Sequence, residues 1–242
     1  MTIAETSPDF YGNNCDRTRP TQVRKIKSTR RSLSGIYAFR GETAIPYESS
    51  LERDFLIRMA FNRDVLAVIP QPVRMSFTAT SGRVYPYTPD FLVYFKLADH
   101  DFDDYPKPLL VEVKPRAEIQ KHWSDWKPKF RAAHRYSREQ GWAFKIYDES
   151  RIRDTTLDNI RFLERYKILE IDPEDAAALL STVSAKGCVN FDYLLARHYG
   201  GIYLAEGIAH IWHLLATWQI ECDISLPLSN TTELWMPNHG QG

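Results

Sequence analysis

The sequence predicts an α/β protein with a small, mostly helical unit at its C-terminal end. Two observations carry that prediction. Between about residues 49 and 166, extended apolar runs alternate with runs whose apolar residues recur every three or four positions, the periods of strands and helices. Beyond residue 170 the pattern changes to three helical runs and two short extended ones, and charge divides at the same place. Residues 170–242 hold two basic and nine acidic residues, a net of −7, whereas the first 169 carry 29 basic and 22 acidic, a net of +7. The 242-residue chain thus sums to zero while its two parts suit opposite partners, the basic part a polyanion.

The elements follow in order. Residues 1–45 read as a flexible basic arm: Arg17, Arg19, Arg24, Lys25, Lys27, Arg30, Arg31 and Arg40 meet no acidic residue between 17 and 40. Arg24, Lys25, Lys27, Arg30 and Arg31 are its candidate DNA-backbone contacts, which counterion release would make salt-sensitive; a solvated arm is the plain alternative. A helix begins near Ser49, with Leu51, Phe55 and Met59 at four-residue spacing and Leu56 and Ala60 widening the apolar face. Extended segments 73–79 and 84–87 flank Thr80-Ser81-Gly82-Arg83, a hairpin signature. Strand 91–97, an acidic surface loop over 99–104, strand 109–114 stopped by Pro115, helix 127–140 ended by Gly141, strand 142–147 and helix 157–166 complete a domain over 46–169.

In the acidic part, Asp172 serves as N-cap with Pro173 at the first helical position. Helical runs 176–183, 189–199 and 202–218 precede extended pieces 219–226 and 231–236, read as a hairpin. Three helices and a hairpin describe a winged-helix-like module over 170–242. A DNA-reading helix would carry Arg or Lys; the run 202–218 has neither, and its charged residue is Glu206. The module therefore reads as protein-binding. His198, His210 and His213 lack a matching Cys pair and read as core or surface histidines rather than a zinc site. Trp123 and Trp126 brace DNA or a partner, or pack the core; the sequence leaves both open.

Other classes are excluded. The most apolar stretch, 208–220, is broken by His210, His213 and Gln219 and falls short of the roughly 20 residues a bilayer needs. Met1-Thr2-Ile3-Ala4-Glu5 has neither a basic nor an apolar leader character. Cys15, Cys188 and Cys222 form no disulfide framework. A reduced cytoplasmic protein without membrane contact is expected.

The chemistry centres on Glu52, Pro89-Asp90 and Glu112-Val113-Lys114. In a strand, Leu109, Val111 and Val113 face one side and Leu110, Glu112 and Lys114 the other. A carboxylate and an ammonium then leave an apolar strand together, which is costly unless they pair or meet a metal. Asp90 enters the neighbouring strand and Glu52 lies near the start of a helix. Hard oxygen donors in this number suit Mg²⁺, with further positions left to water and a substrate phosphate. Each piece has a plainer reading. Ser49-x-x-Glu52 is also a capping box, Thr88-Pro89-Asp90 an ordinary turn, and Glu112 with Lys114 an exposed charge pair.

Segments 48–55, 71–73 (Gln-Pro-Val), 87–93 (Tyr-Thr-Pro-Asp-Phe-Leu-Val) and 110–116 (Leu-Val-Glu-Val-Lys-Pro-Arg) resemble, in order, the TnsA family, endonuclease subunits of heteromeric Tns transposases, including those of CRISPR-associated transposons. The resemblance runs from about residue 30 to 166. It implies a restriction-endonuclease-like fold, a mixed sheet flanked by helices, followed by a winged-helix-like domain. It implies Mg²⁺-dependent cleavage of the 5′ transposon ends (Mn²⁺ substituting), beside a TnsB-like transposase that cuts and joins the 3′ ends. A TnsC-like AAA+ ATPase would contact the C-terminal domain. Glu52, Asp90, Glu112 and Lys114 would form the active site, with Asp90, Glu112, Glu52 and the Val113 carbonyl holding metal. Some members carry Gln where Glu112 stands. The implied setting is the bacterial cytoplasm, on the nucleoid when active. Two other readings compete: a non-catalytic DNA/protein adaptor of a transposition complex, and a stand-alone restriction or repair nuclease.

Overall fold

A computed structural model describes residues 21–23, 33–97 and 105–237. The candidate DNA contacts Arg24, Lys25, Lys27, Arg30 and Arg31, and the acidic loop over 99–104, lie outside the described residues. Strands β1 (Gly35–Phe39) and β2 (Thr43–Tyr47) form an antiparallel hairpin, Gly35 opposite Tyr47. Phe39 and Ile45 are buried. Arg40 returns its guanidinium to the carbonyls of Ala60 (3.1 Å) and Asn62 (2.6 Å). Residues 35–45, expected within the flexible arm, thus belong to a packed hairpin. Its apolar residues need a second surface, and the following helix supplies it: Phe39 and Ile45 pack in one core with Leu51 and Phe55.

Helix α1 (Ser50–Phe61) is capped by Ser49, whose hydroxyl oxygen accepts the Glu52 N–H at 3.1 Å. Strands β3 (Val65–Pro70), β4 (Met75–Thr78), β5 (Val84–Tyr87), β6 (Phe91–Phe95) and β7 (Leu109–Val113) follow, then α2 (Arg116–Lys121), α3 (Trp123–Glu139) and β8 (Ala143–Tyr147). The central sheet has the order β3-β6-β7-β8, antiparallel except for the parallel pair β7–β8. Parallel neighbours need a crossover, and α2 with α3 provides it. On one face Phe91, Val111 and Val113 pack against Leu51, Phe55 and Leu56 of α1. On the other, Leu92 and Leu110 pack against Ala133 of α3 and Tyr87 of the β4–β5 hairpin. This is the mixed sheet flanked by helices. β3 has no counterpart in the sequence reading because Val65–Ile69 is a continuous apolar run without alternation. α3 starts at Trp123 and runs through Pro128, four residues ahead of expectation, because Trp123 and Trp126 both pack on Phe130 at 6.2 Å.

The remaining elements are α4 (Glu149–Ile152), α5 (Thr155–Glu164), α6 (Pro173–Lys186), β9 (Cys188–Asn190), α7 (Phe191–His198), α8 (Leu204–Ala216) and β10 (Glu233–Trp235). The expected hairpin between 219–226 and 231–236 does not form. β10 pairs instead with β9, and the earlier segment contributes a single bridge, Glu221 to Trp235. Asn159 of α5 explains the difference: its amide donates to the carbonyls of Ile224 (2.9 Å) and Leu226 (2.7 Å) and holds that segment away. The second core gathers Leu179, Val183, Phe191, Leu194, Ile211 and Trp212, and it reaches back to Leu163 of α5. Phe191 and Trp212 stack at 4.4 Å. His210 and His213 are engaged by Tyr199 and by the Tyr166 carbonyl, each at 2.8 Å, and His198 by Thr182. Among the described residues no helix is long and apolar enough to cross a membrane.

Candidate active site

Because β6 and β7 are antiparallel, the entrance of β6 lies beside the exit of β7, with Phe91 opposite Val111. Asp90 sits at that corner. Its N–H donates to the Val111 carbonyl at 3.1 Å, and its own carbonyl accepts from Gln71 N–H at 2.7 Å. The chain before Asp90 is thus tied to two neighbours, and its carboxylate turns towards β7, where Oδ2 accepts the Val113 N–H at 2.8 Å. Lys114 leaves the sheet there. Its Nζ lies 3.1 Å from Asp90 Oδ2, 3.0 Å from the Val113 carbonyl oxygen and 3.5 Å from Glu112 Oε1.

Glu112 is buried and held at both oxygens. Oε2 accepts the Tyr87 hydroxyl at 2.8 Å and Oε1 accepts the Lys129 ammonium at 3.1 Å. Tyr87 and Lys129 are site residues that the sequence reading missed. Lys129 nonetheless leaves a signal, for it falls among the inward positions Trp126, Phe130 and Ala133 of α3. Its ammonium lies over the rings of Trp126, Phe130 and Tyr87, at 4.4, 5.0 and 5.2 Å from their centroids. A cation retained on an apolar helix face needs an anion, and Glu112 is that anion. Of the two Trp residues, Trp126 packs α3 against the site, whereas Trp123 rests on Phe130 and stays half exposed.

Glu52 lies in the first turn of α1, as expected. It approaches from α1, on the sheet face opposite α3, and helps close the cap of that helix: Oε2 accepts the N–H of Glu48, one residue ahead of the N-cap, at 2.7 Å, and Oε1 accepts the Ser49 hydroxyl at 3.0 Å. Among the described residues no three His, Cys, Asp or Glu side chains stand close enough to hold a metal by themselves. Two carboxylates and one carbonyl meet at the Lys114 ammonium, with Glu52 to one side.

Electrostatics nevertheless join all four side chains. Burial, then the Asp90 charge, pushes the Glu52 carboxyl up to about 7. The same two causes, in the same order, raise Glu112. Asp90 at the strand corner is therefore the charge that both other carboxylates feel. Burial opposes the Lys114 charge, but Asp90, Glu112 and Glu52 outweigh it and hold the ammonium protonated. Tyr87 is raised by burial and by the Glu112 charge, which keeps it a hydrogen-bond donor. Clustered carboxylates, with Glu52 and Glu112 raised by burial and then by the Asp90 charge, around oxygens already directed at one cation, suit a divalent ion.

Residues 62–149 match the family model for the TnsA-like endonuclease N-terminal domain, and residues 151–224 match that for the TnsA endonuclease C-terminal domain. The two matches adjoin, in the order the family requires. The chain belongs to the TnsA endonuclease family. The N-terminal match contains Asp90, Glu112 and Lys114 and begins after Glu52, while the C-terminal match takes in α5 and the acidic module as far as residue 224, short of β10. No curated protein matches the chain. TnsA membership makes this chain an endonuclease subunit of a transposase, part of a transposition complex on DNA.

Proposed function

We propose that this TnsA-family chain hydrolyses one strand at each transposon end, at the 5′ side, in a reaction that depends on Mg²⁺, beside a TnsB-like transposase and a TnsC-like ATPase. The observation that carries the reading is the meeting of Asp90, Glu112 and the Val113 carbonyl at Lys114, within 3.5 Å of one nitrogen. Asp90, Glu112 and the Val113 carbonyl, with Glu52 beside them, would hold the ion, which supplies phosphate polarisation and an acidified water. Lys114, kept protonated by its carboxylates, offers positive charge to a phosphate as negative charge develops on it. Tyr87 and Lys129 hold the two Glu112 oxygens in place from the α3 side. The N-terminal arm would follow the DNA backbone.

The C-terminal module supports a protein partner. α8 carries Glu206 and no Arg or Lys, and Ile202, Tyr203, Leu204 and Ile208 are exposed apolar side chains at its start. That surface suits the TnsC-like ATPase better than a phosphate backbone. The test is end cleavage in the reconstituted complex: Asp90→Ala or Lys114→Ala should abolish 5′ cutting while complex assembly persists. Undiminished cutting by both variants would refute the assignment and favour the adaptor reading. Efficient cutting by the chain alone would favour a stand-alone nuclease.

A further inference from the structure

Beside the catalytic corner, α1 carries Asp54, whose side chain is 1% exposed and meets three guanidinium groups. Arg161 Nη2 donates to Oδ1 at 2.5 Å, Arg153 Nε donates to Oδ2 at 2.8 Å, and Arg53 Nη2 lies 3.5 Å from Oδ1. Arg153 Nη2 also donates to the Ser50 hydroxyl at 3.0 Å. One buried carboxylate cannot neutralise three guanidiniums. A second carboxylate, Asp154, is already engaged by a fourth arginine, Arg58. The cluster retains an excess of positive charge.

The arginines are not spent on Asp54. Their side chains are 38, 45 and 40% exposed for Arg53, Arg153 and Arg161. A guanidinium has five N–H donors, and only one or two of each are used here. Arg53 Nε is buried with no partner at all. Position completes the argument. Arg53 follows Glu52 directly, and Ser50 lies in the first turn of α1, next to the cap that holds Glu52. Tyr147, at the exit of β8, accepts the Lys114 N–H, and the chain from there runs through α4 to Arg153. The cluster and the catalytic corner therefore share one end of the sheet.

We propose that Arg53, Arg153 and Arg161, gathered by Asp54, form a seat for a backbone phosphate of the duplex next to the one that is cut. Asp54 holds the guanidiniums in a fixed orientation, and their free N–H groups meet phosphate oxygens in the paired geometry that arginine favours. The inference rests on the nuclease reading and adds the surface on which the substrate strand lies.

The test is the salt dependence of duplex DNA binding by the full chain in EDTA, below the melting temperature of every variant. Each lost phosphate contact should flatten the slope of log K against log salt by about 0.9. Arg153→Gln and Arg161→Gln should each flatten it, and Arg161→Lys should restore most of the loss. Slopes equal to the unaltered chain in both Gln variants, even with lowered melting temperatures, would reduce the cluster to a clamp between α1 and α5 and overturn the proposal. In that case intact Mg²⁺-dependent end cleavage by the unaltered chain leaves the nuclease reading standing. A chain that binds no duplex and, in the reconstituted complex, cuts no transposon end sinks both.

Discussion

Replacing Lys129 with Met should destabilise the protein through Glu112. The substitution keeps the apolar stem that lies among Trp126, Phe130 and Tyr87 and removes the ammonium 3.1 Å from Glu112 Oε1. Stripping a buried charge of all its partners costs about 3–5 kcal/mol. Glu112 is not stripped completely, since it keeps the Tyr87 hydroxyl at 2.8 Å and Lys114 at 3.5 Å. One lost charge-assisted hydrogen bond then costs about 2 kcal/mol, which for a chain of this length lowers Tm by about 4–8 °C. The sign against pH follows from Glu112, whose folded-state value is raised. Below its unfolded value, near about 4.3, the carboxyl is protonated in both states and the penalty should be small. It grows as pH rises through the folded-state value, because only the folded state then resists ionisation. Thermal unfolding of Lys129→Met at acid and neutral pH measures both effects. Glu112→Gln should remove most of the penalty in the double variant, since a neutral amide needs no cation. A Tm unchanged at neutral pH, or a double-mutant cycle that closes without coupling, would refute this account of Lys129.

Glu52 should link metal binding to protons. Its value of about 7 in the metal-free protein means that below that pH a bound cation must displace a proton, so Mn²⁺ affinity should fall by up to about tenfold per pH unit on acidification and level off above neutrality. Calorimetry in buffers of different ionisation enthalpy counts the released protons, of which Glu112 supplies a share; Glu52→Gln should lower the count, and an unchanged count would contradict the assignment. In the C-terminal module, Gly207→Ala should destabilise by about 1–3 kcal/mol although alanine favours helix. The added methyl would stand 2.4 Å from the Tyr199 ring and 2.8 Å from Leu195 Cδ1. Chemical denaturation showing equal or greater stability would show that Tyr199 can move aside and still reach His210.

Much of this protein was legible from residue order. The α1 stripe, the Ser81-Gly82 turn between β4 and β5, the Pro115 that follows β7 and the Asp172-Pro173 start of α6 are local devices, readable because each acts within one turn or one pleat. The alternation in β7 already separates Val111 and Val113 from Leu110 and Glu112, and the two cores divide them in that way. The acidic C-terminal module was equally visible in composition. What sequence alone could not settle was partnership. Capping box and active-site carboxylate were competing readings of Glu52, yet in the fold it caps α1 while feeling the Asp90 charge across the sheet corner. β10 sits against β9 rather than residues 219–226 because Asn159, more than sixty residues away in the chain, claims the carbonyls of Ile224 and Leu226. Lys129 and Tyr87 join the site, and Arg153 and Arg161 join Asp54, through contacts between segments 17 to 107 positions apart. Charge pairing at such separations depends on which faces the packed sheet brings together, and burial then makes those pairings strong; neither quantity exists until the chain has folded.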